Sequence, residues 1–338
     1  MPELMAQWLD QFPAQIHRAY ELAEHWEIGA VRTPRSITFL GMGGSAIGAD
    51  LSCGLYGGDF TLVVQVVRGE RIPRWIGADD LVVAVSYSGE TWETLAAFRT
   101  ALSQGAQGLA VSSGGALKTL AEENGVPHLL IPGGIAPRAA LGYTTIPLLK
   151  VLRITGALPN AVRYEEEIPA LVKQLELLRV DWGDPAGAAC GVARRMLRRL
   201  PLIAGGGLTA GAGRRFQAQL AENAKVLSVV FELPEALHNL VETLDVSSID
   251  PFRPIAVYLE DPEADAEVRR MLKALRDAFS QSGIEGIPIP AQGKTPLTRL
   301  FTLIHKTDWV SYHLAQLKGV DAAEIPIIAS IKRKLTAS

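Results

Sequence analysis

The sequence predicts an α/β fold of parallel sheets with helices on both faces. Three observations carry that expectation. Short apolar runs of strand length alternate with stretches of helical periodicity. Two of those runs, Ile37 to Leu40 and Leu81 to Val85, open into loops rich in Gly, Ser and Thr. The 32 Gly and 20 Pro among 338 residues suit a chain with many strand-to-helix turns.

At the N-terminus Leu4, Trp8, Leu9 and Phe12, then Ile16, Tyr20 and Ala23, fall at helical spacing. They predict an amphipathic segment interrupted near Pro13, packed on a sheet or on a second subunit. After Pro34 the signals alternate: strand Ile37 to Leu40, helix Ala46 to Leu55, strand Leu62 to Val67, strand Leu81 to Val85, helix Trp92 to Leu102. Strand Leu109 to Val111, helix Leu117 to Glu123 and strand His128 to Ile131 complete the first half. Units of this length imply parallel strands joined by right-handed crossovers, with ligands at the C-terminal strand ends.

A charged helix, Tyr164 to Leu178, leads into the polar and Gly/Pro-rich stretch Val180 to Pro185, where a domain boundary is expected. The expected domains are residues 1–160, with the N-terminal helix, and 185–338. The second half repeats the opening theme: an apolar run Leu200 to Ala204, the turn Gly205-Gly206-Gly207, and a helix from Gly211 to Leu227. No second Ser-rich loop follows it, so one phosphate site is expected. Strands at Ile255 to Leu259 and Ile284 to Ile289, helices from Glu263 to Phe279 and Leu297 to Leu317, and a tail from Ile325 to Lys332 finish the chain.

Composition excludes several classes of function. A net charge of -3 with no long basic run gives no support for a nucleic-acid surface. Two distant cysteines, Cys53 and Cys190, make no disulfide framework. With no leader-like start and no apolar run near the roughly 20 residues needed to span a bilayer, a cytoplasmic protein is expected. None of the six histidines has metal-ligand spacing, and no bound metal is expected.

The loops Gly41-Met42-Gly43-Gly44-Ser45 and Ser86-Tyr87-Ser88-Gly89-Glu90-Thr91 carry the chemistry. Each lies between a strand and a helix, where glycine admits a close approach, the helix N-terminus offers unpaired N–H groups, and hydroxyls add donors. That combination holds a phosphate without lysine, at roughly 1.5 to 3 kcal/mol for each charge-assisted hydrogen bond. Two other readings fit the loops. Gly41, Gly43 and Ala46, with Glu70 beyond the next strand, match a variant dinucleotide fingerprint, and Ser and Thr also cap helices. Three hydroxyls (Ser86, Ser88, Thr91) exceed what one cap needs.

Outside the loops three residues stand out. Pro137 opens a predicted helix and puts Arg138 in its first turn, the unfavourable end of the dipole for a cation. His238 follows Pro234 at the end of an apolar run. Glu222 lies off the apolar stripe Phe216, Leu220, Ala224 and Leu227 of its helix, and periodicity alone favours a solvated carboxylate paired with Lys225.

Gly41 to Ser45, Ser86 to Thr91 and Pro137-Arg138-x-x-x-Gly142-Tyr143 together resemble the sugar isomerase (SIS) domain family. More narrowly they resemble its bifunctional phosphoglucose/phosphomannose isomerases. The resemblance continues through Leu220 to Lys225 and His238-Asn239, over nearly the whole chain. It implies two SIS subdomains, each a five-stranded parallel sheet flanked by helices in three αβα layers, working as a homodimer without metal or organic cofactor. The implied reaction interconverts glucose 6-phosphate or mannose 6-phosphate with fructose 6-phosphate through a cis-enediolate. In that reading Gly43, Gly44, Ser45, Ser86, Ser88 and Thr91 hold the phosphate. Glu222 shuttles the proton between C1 and C2, Arg138 stabilises the enediolate, His238 assists ring opening from the neighbouring subunit, and Lys332 reaches the sugar. The chain departs from the family at Leu240, where relatives place Glu after His-Asn, and at Ile325, where they carry a small polar residue facing the sugar. Competing functions are a non-catalytic sugar-phosphate regulator, an isomerase of another sugar phosphate, and a nicotinamide-dependent dehydrogenase.

Overall fold

The computed structural model describes residues 4–159, 163–245 and 249–336. The chain opens with α1 (Leu4–Asp10) and α2 (Phe12–Glu24), separated at Gln11, where Pro13 falls in the first turn of the second helix and can only start one. Two units follow by contact, residues 11–172 and residues 173–338 together with 1–10.

In the first unit β1 (Ser36–Leu40), α3 (Gly43–Tyr56), β2 (Val63–Val67), β3 (Asp80–Val85), α4 (Trp92–Ser103), β4 (Gln107–Ser112), α5 (Gly115–Glu123) and β5 (His128–Leu130) alternate as expected. They form one parallel sheet ordered β2-β1-β3-β4-β5. The two central strands β1 and β3 are buried along their whole length, whereas Val63 on the edge strand β2 is exposed. That explains why β1 and β3 read as unbroken apolar runs: helices cover both of their faces. One such face packs Val82, Ala84 and Ala110 against Phe98, Leu117 and Leu120. The other is covered by α3, with α6 (Leu141–Ile154) packed on α3 and α2 packed on α6.

The division between units falls inside α7 (Tyr164–Gly183), so Val180 to Gly183 are helical residues and not a linker. Then come α8 (Ala188–Met196), β6 (Leu200–Gly206), α9 (Leu208–Glu222), β7 (Val229–Leu233), β8 (Pro254–Glu260), α10 (Ala266–Gln281), β9 (Gly286–Pro290), α11 (Pro296–Lys318) and α12 (Pro326–Thr336). The second sheet is also parallel, ordered β7-β6-β8-β9. Among the described residues it has four strands, not the five implied by the resemblance. Its order matches that of the first four strands of the first unit, so the repeat seen in sequence is a repeat of topology. Leu202, Phe231, Tyr258, Leu275 and Phe279 form its core, with the Phe231 and Phe279 rings edge to face at 5.2 Å. α1 packs on α11.

Two elements differ from the sequence expectation in ways that bear on the site. Pro137 to Ala139 form a short 3-10 turn and α6 begins only at Leu141, so Arg138 precedes the helix. α9 runs from Leu208 to Glu222, not from Gly211 to Leu227. The apolar pattern continues past Glu222, but Lys225 adopts a left-handed backbone (φ 54) and the chain turns back.

Candidate active site

β1 and β3 are neighbours, so the loops that follow them meet at one end of the sheet. Ser45, buried in the first turn of α3, accepts a hydrogen bond from the Tyr87 N–H at 3.0 Å and stitches the two loops together. Ser86 is fully buried and donates to the Thr91 hydroxyl at 2.9 Å, while exposed Ser88 accepts from the Glu90 N–H at 3.2 Å.

Neither α3 nor α4 is capped by a side chain, although Thr91 occupies the cap position of α4. The hydroxyls are therefore not serving as helix caps, and apart from Ser45, whose N–H donates to the Met42 carbonyl at 3.0 Å, the first-turn N–H groups meet no capping side chain, which suits an anion. α3 has no acidic residue in its first turn to compete with one.

Two glycines are required by this packing. A Cβ on Gly44 would sit 3.1 Å from the Pro137 carbonyl, so any larger residue would push on the turn that carries Arg138. Gly89 has φ +74, and a Cβ there would come within 1.9 Å of the Gly114 carbonyl oxygen.

Arg138 is 4% exposed and so is not a surface arginine. The turn that holds it is pinned from α2, where buried Gln15 donates to the Ala139 carbonyl at 2.9 Å and accepts from the Gly142 N–H at 2.7 Å. Tyr87 adds a further tie, its hydroxyl accepting from the Ile135 N–H at 3.2 Å, and burial raises its phenol pKa above the usual value. Sequence reasoning missed Gln15 and Tyr87. A signal existed for Gln15, a polar residue on the buried face that Phe12, Ile16 and Ala19 define.

The other three expected site residues belong to the second unit. Glu222 is the last residue of α9 and is half-buried. The residues beyond it are held by their own partners: Asn223 donates to the Ser311 hydroxyl at 2.9 Å, and the Lys225 ammonium donates to the backbone carbonyl of Glu222 at 2.7 Å. His238 is exposed at the end of the 3-10 turn Glu235–His238 that follows β7. Next to it Asn239 donates to Glu235 at 2.7 Å and accepts from the Leu240 N–H at 2.6 Å, so Glu235 supplies a carboxylate partner where Leu240 cannot. Lys332 is exposed on α12.

The second unit does not bring Glu222 and His238 together. α9 returns from the C-terminal end of β6 to the N-terminal end of β7, a run of about 22 Å for its 15 residues at 1.5 Å each. Glu222 and His238 therefore lie at opposite ends of that sheet. The Gly205 to Gly207 turn is also closed on itself, because Thr209 accepts from the Gly206 N–H at 3.0 Å and donates to its carbonyl at 3.1 Å. Among the described residues no cluster of three or more His, Cys, Asp or Glu is arranged to hold a metal, and no helix is long and apolar enough to cross a membrane.

Two parallel sheets of like topology, one with hydroxyl-lined turns at its strand ends, define a two-unit α/β protein. Residues 187–335 match the family described as bacterial phospho-glucose isomerase C-terminal SIS domain. A bifunctional phosphoglucose/phosphomannose isomerase from Caldicellulosiruptor bescii is 31% identical over 96% of both chains, and one from Aquifex aeolicus is 32% identical over 94% of this chain and 95% of its own. The chain belongs to the bifunctional phosphoglucose/phosphomannose isomerase family. A D-glucosamine-6-phosphate 4-epimerase from Sulfolobus acidocaldarius is also similar, 28% identical over 81% of this chain and 88% of its own. The crystal structure of a hypothetical protein from Thermus thermophilus shares the fold, with a TM-score of 0.74 at 16% identity over 100% of this chain and 92% of that one.

Proposed function

We propose that this protein is an aldose-ketose isomerase acting on hexose 6-phosphates, interconverting glucose 6-phosphate or mannose 6-phosphate with fructose 6-phosphate. The observation that carries the reading is similarity along almost the full length of both chains to relatives that bear those activities in their names. The stitched pair of loops supports it, since hydroxyls and open helix N–H groups suit the anionic end common to all three sugars.

The reaction moves one proton between neighbouring carbons. Aldose and ketose are isomers, so oxidation at one carbon balances reduction at the next and no redox partner is required. A C–H beside a carbonyl is a weak acid, which calls for a base and for a cation that stabilises the oxyanion formed. In this reading Glu222 takes the proton from C1 or C2 and returns it to the other carbon. Arg138 holds the negative charge of the enediolate, Lys332 contacts the sugar, and Gly43, Gly44, Ser45, Ser86, Ser88 and Thr91 anchor the phosphate.

His238 fits the reading if the protein is a homodimer that supplies it to the site of its partner for ring opening. Its distance along the sheet from Glu222 of the same unit favours that arrangement, and so does the exposed apolar stripe Ile327, Ile331 and Leu335 on α12. Two free cysteines, one of them buried, are compatible with a reducing cytoplasm.

The test is product analysis after incubation with fructose 6-phosphate in deuterated water. Glucose or mannose 6-phosphate labelled at C2 is expected, and Glu222→Gln should lose at least roughly 10²- to 10⁴-fold in turnover while binding inorganic phosphate as before. No aldose product, or a C4 epimer in its place, would overturn the reaction. A Glu222→Gln protein with most of its activity would overturn the base.

A further inference from the structure

Beyond Glu222 the chain doubles back and places one ammonium at the centre of four backbone carbonyls. Lys225 Nζ donates to Glu222 at 2.7 Å and Asn223 at 3.3 Å, both at the end of α9. It also donates to Asp321 at 2.8 Å and Glu324 at 2.6 Å, in the segment that joins α11 to α12. An ammonium has three N–H bonds, so the 3.3 Å contact shares a proton with a shorter one. A cation suits the C-terminal end of a helix, where unpaired carbonyls gather. Lys225 is itself fixed from α11, because Lys318 donates to its carbonyl at 2.9 Å.

The residues at the two ends of this clamp are the informative part. One end is the terminal residue of α9, Glu222. The other is the root of α12, and Lys332 lies only about 9 Å along that helix from Pro326 at 1.5 Å per residue. We infer that Lys225 is a positioning residue which locks the helix end bearing Glu222 to the root of the helix bearing Lys332, so that base and sugar-contacting lysine are set by one cation. The inference rests on the isomerase reading of Glu222 and Lys332.

Lys225→Met and Lys225→Gln remove the charge and keep most of the stem. A displacement of about 1 Å at a reacting group costs up to about a hundredfold, so kcat is expected to fall about ten- to hundredfold. KM for fructose 6-phosphate should rise by less than kcat falls, because the phosphate loops lie in the other unit and are untouched while only the Lys332 contact to the sugar is lost. Lys225→Arg should recover part of kcat. Lys225→Met combined with Lys332→Ala should be little slower than the worse single variant, since Lys332 is already misplaced once the clamp is gone.

Wild-type kcat in both charge-removing variants overturns the inference, as do losses that multiply in the double variant or a lowered Tm with kcat unchanged. Failure of the underlying reading shows up separately, as an active Glu222→Gln protein.

Discussion

Replacing Asp308 by Ala should be among the most damaging single changes in the second unit. Asp308 on α11 and Arg215 on α9 form an ion pair at 2.6 Å with side chains 3% and 4% exposed, and Gln219, one turn along α9, donates to the other carboxylate oxygen at 3.0 Å. Burial pushes the Asp308 carboxyl pKa up, and Arg215 and Gln219 pull it back only in part. Removing one member of such a pair leaves the other charge buried, at about 3 to 5 kcal/mol. The two deletions should not be equal. In Asp308→Ala the orphan is a guanidinium that cannot deprotonate, so the whole cost is paid at any accessible pH. In Arg215→Met the orphan is a carboxyl whose pKa, already raised, rises further. It is penalised above its folded pKa and relieved as pH falls and a proton binds. Asp308→Ala should therefore lower Tm by about 6 to 20 °C, taking 2 to 4 °C per kcal/mol for a unit of this size. Arg215→Met should lose less at pH 5 than at pH 8 relative to wild type. The double variant Arg215→Met/Asp308→Leu should be more stable than either single one. Urea unfolding followed by tryptophan fluorescence reports this directly, since Trp309 is buried beside Asp308. An Asp308→Ala protein within about 1 kcal/mol of wild type, or equal and pH-independent losses in the two single variants, would refute the reasoning.

Three further outcomes follow from the same geometry. Gly89→Ala would force a left-handed alanine, at roughly 1 to 2 kcal/mol, and drive its Cβ to 1.9 Å from the Gly114 oxygen, so the loop must move. Inorganic phosphate affinity measured by calorimetry should fall at least about tenfold, and unchanged affinity would separate this loop from the anion site. Ser45→Ala strips the Tyr87 N–H of its acceptor in a buried place, and a loss of about 1 to 3 kcal/mol in unfolding free energy is expected, accompanied by weaker phosphate binding. His305 is fully buried as a neutral imidazole whose Nε2 accepts from the Trp309 indole, and burial lowers its pKa to about 3. Because the unfolded chain binds a proton near pH 6.5 and the fold does not, this stability is complete above 6.5 and declines as pH falls, by about 2 kcal/mol at pH 5. His305→Gln should flatten the urea midpoint against pH between 7 and 5, and an unchanged slope would assign the acid sensitivity elsewhere.

What was readable in the sequence follows from the range of the forces involved. Buried strands such as β1 and β3 show as apolar runs because burial on both faces constrains each of their residues independently. α8 escapes a reading of the sequence because its amphipathic pattern spans only 9 residues and Gly191, a poor helix former, interrupts it. The end of α9 was misplaced because Ala224 and Leu227 prolong the stripe, whereas the chain is turned by contacts to Ser311, Asp321 and Glu324, about a hundred residues away.

By itself the sequence determined that there are two hydroxyl-rich turns between strand and helix, because Gly, Ser and Thr meet a local need of backbone conformation and donor supply. It also determined the alternation that makes both sheets parallel. Only the tertiary structure decided that the two turns touch through Ser45 and Tyr87, that Arg138 is buried on a turn held by Gln15, and that Glu222 and His238 occupy opposite ends of the second sheet. Those facts depend on strand order and on where each helix stops. Both are settled by contacts between segments far apart in the chain, which no periodicity records.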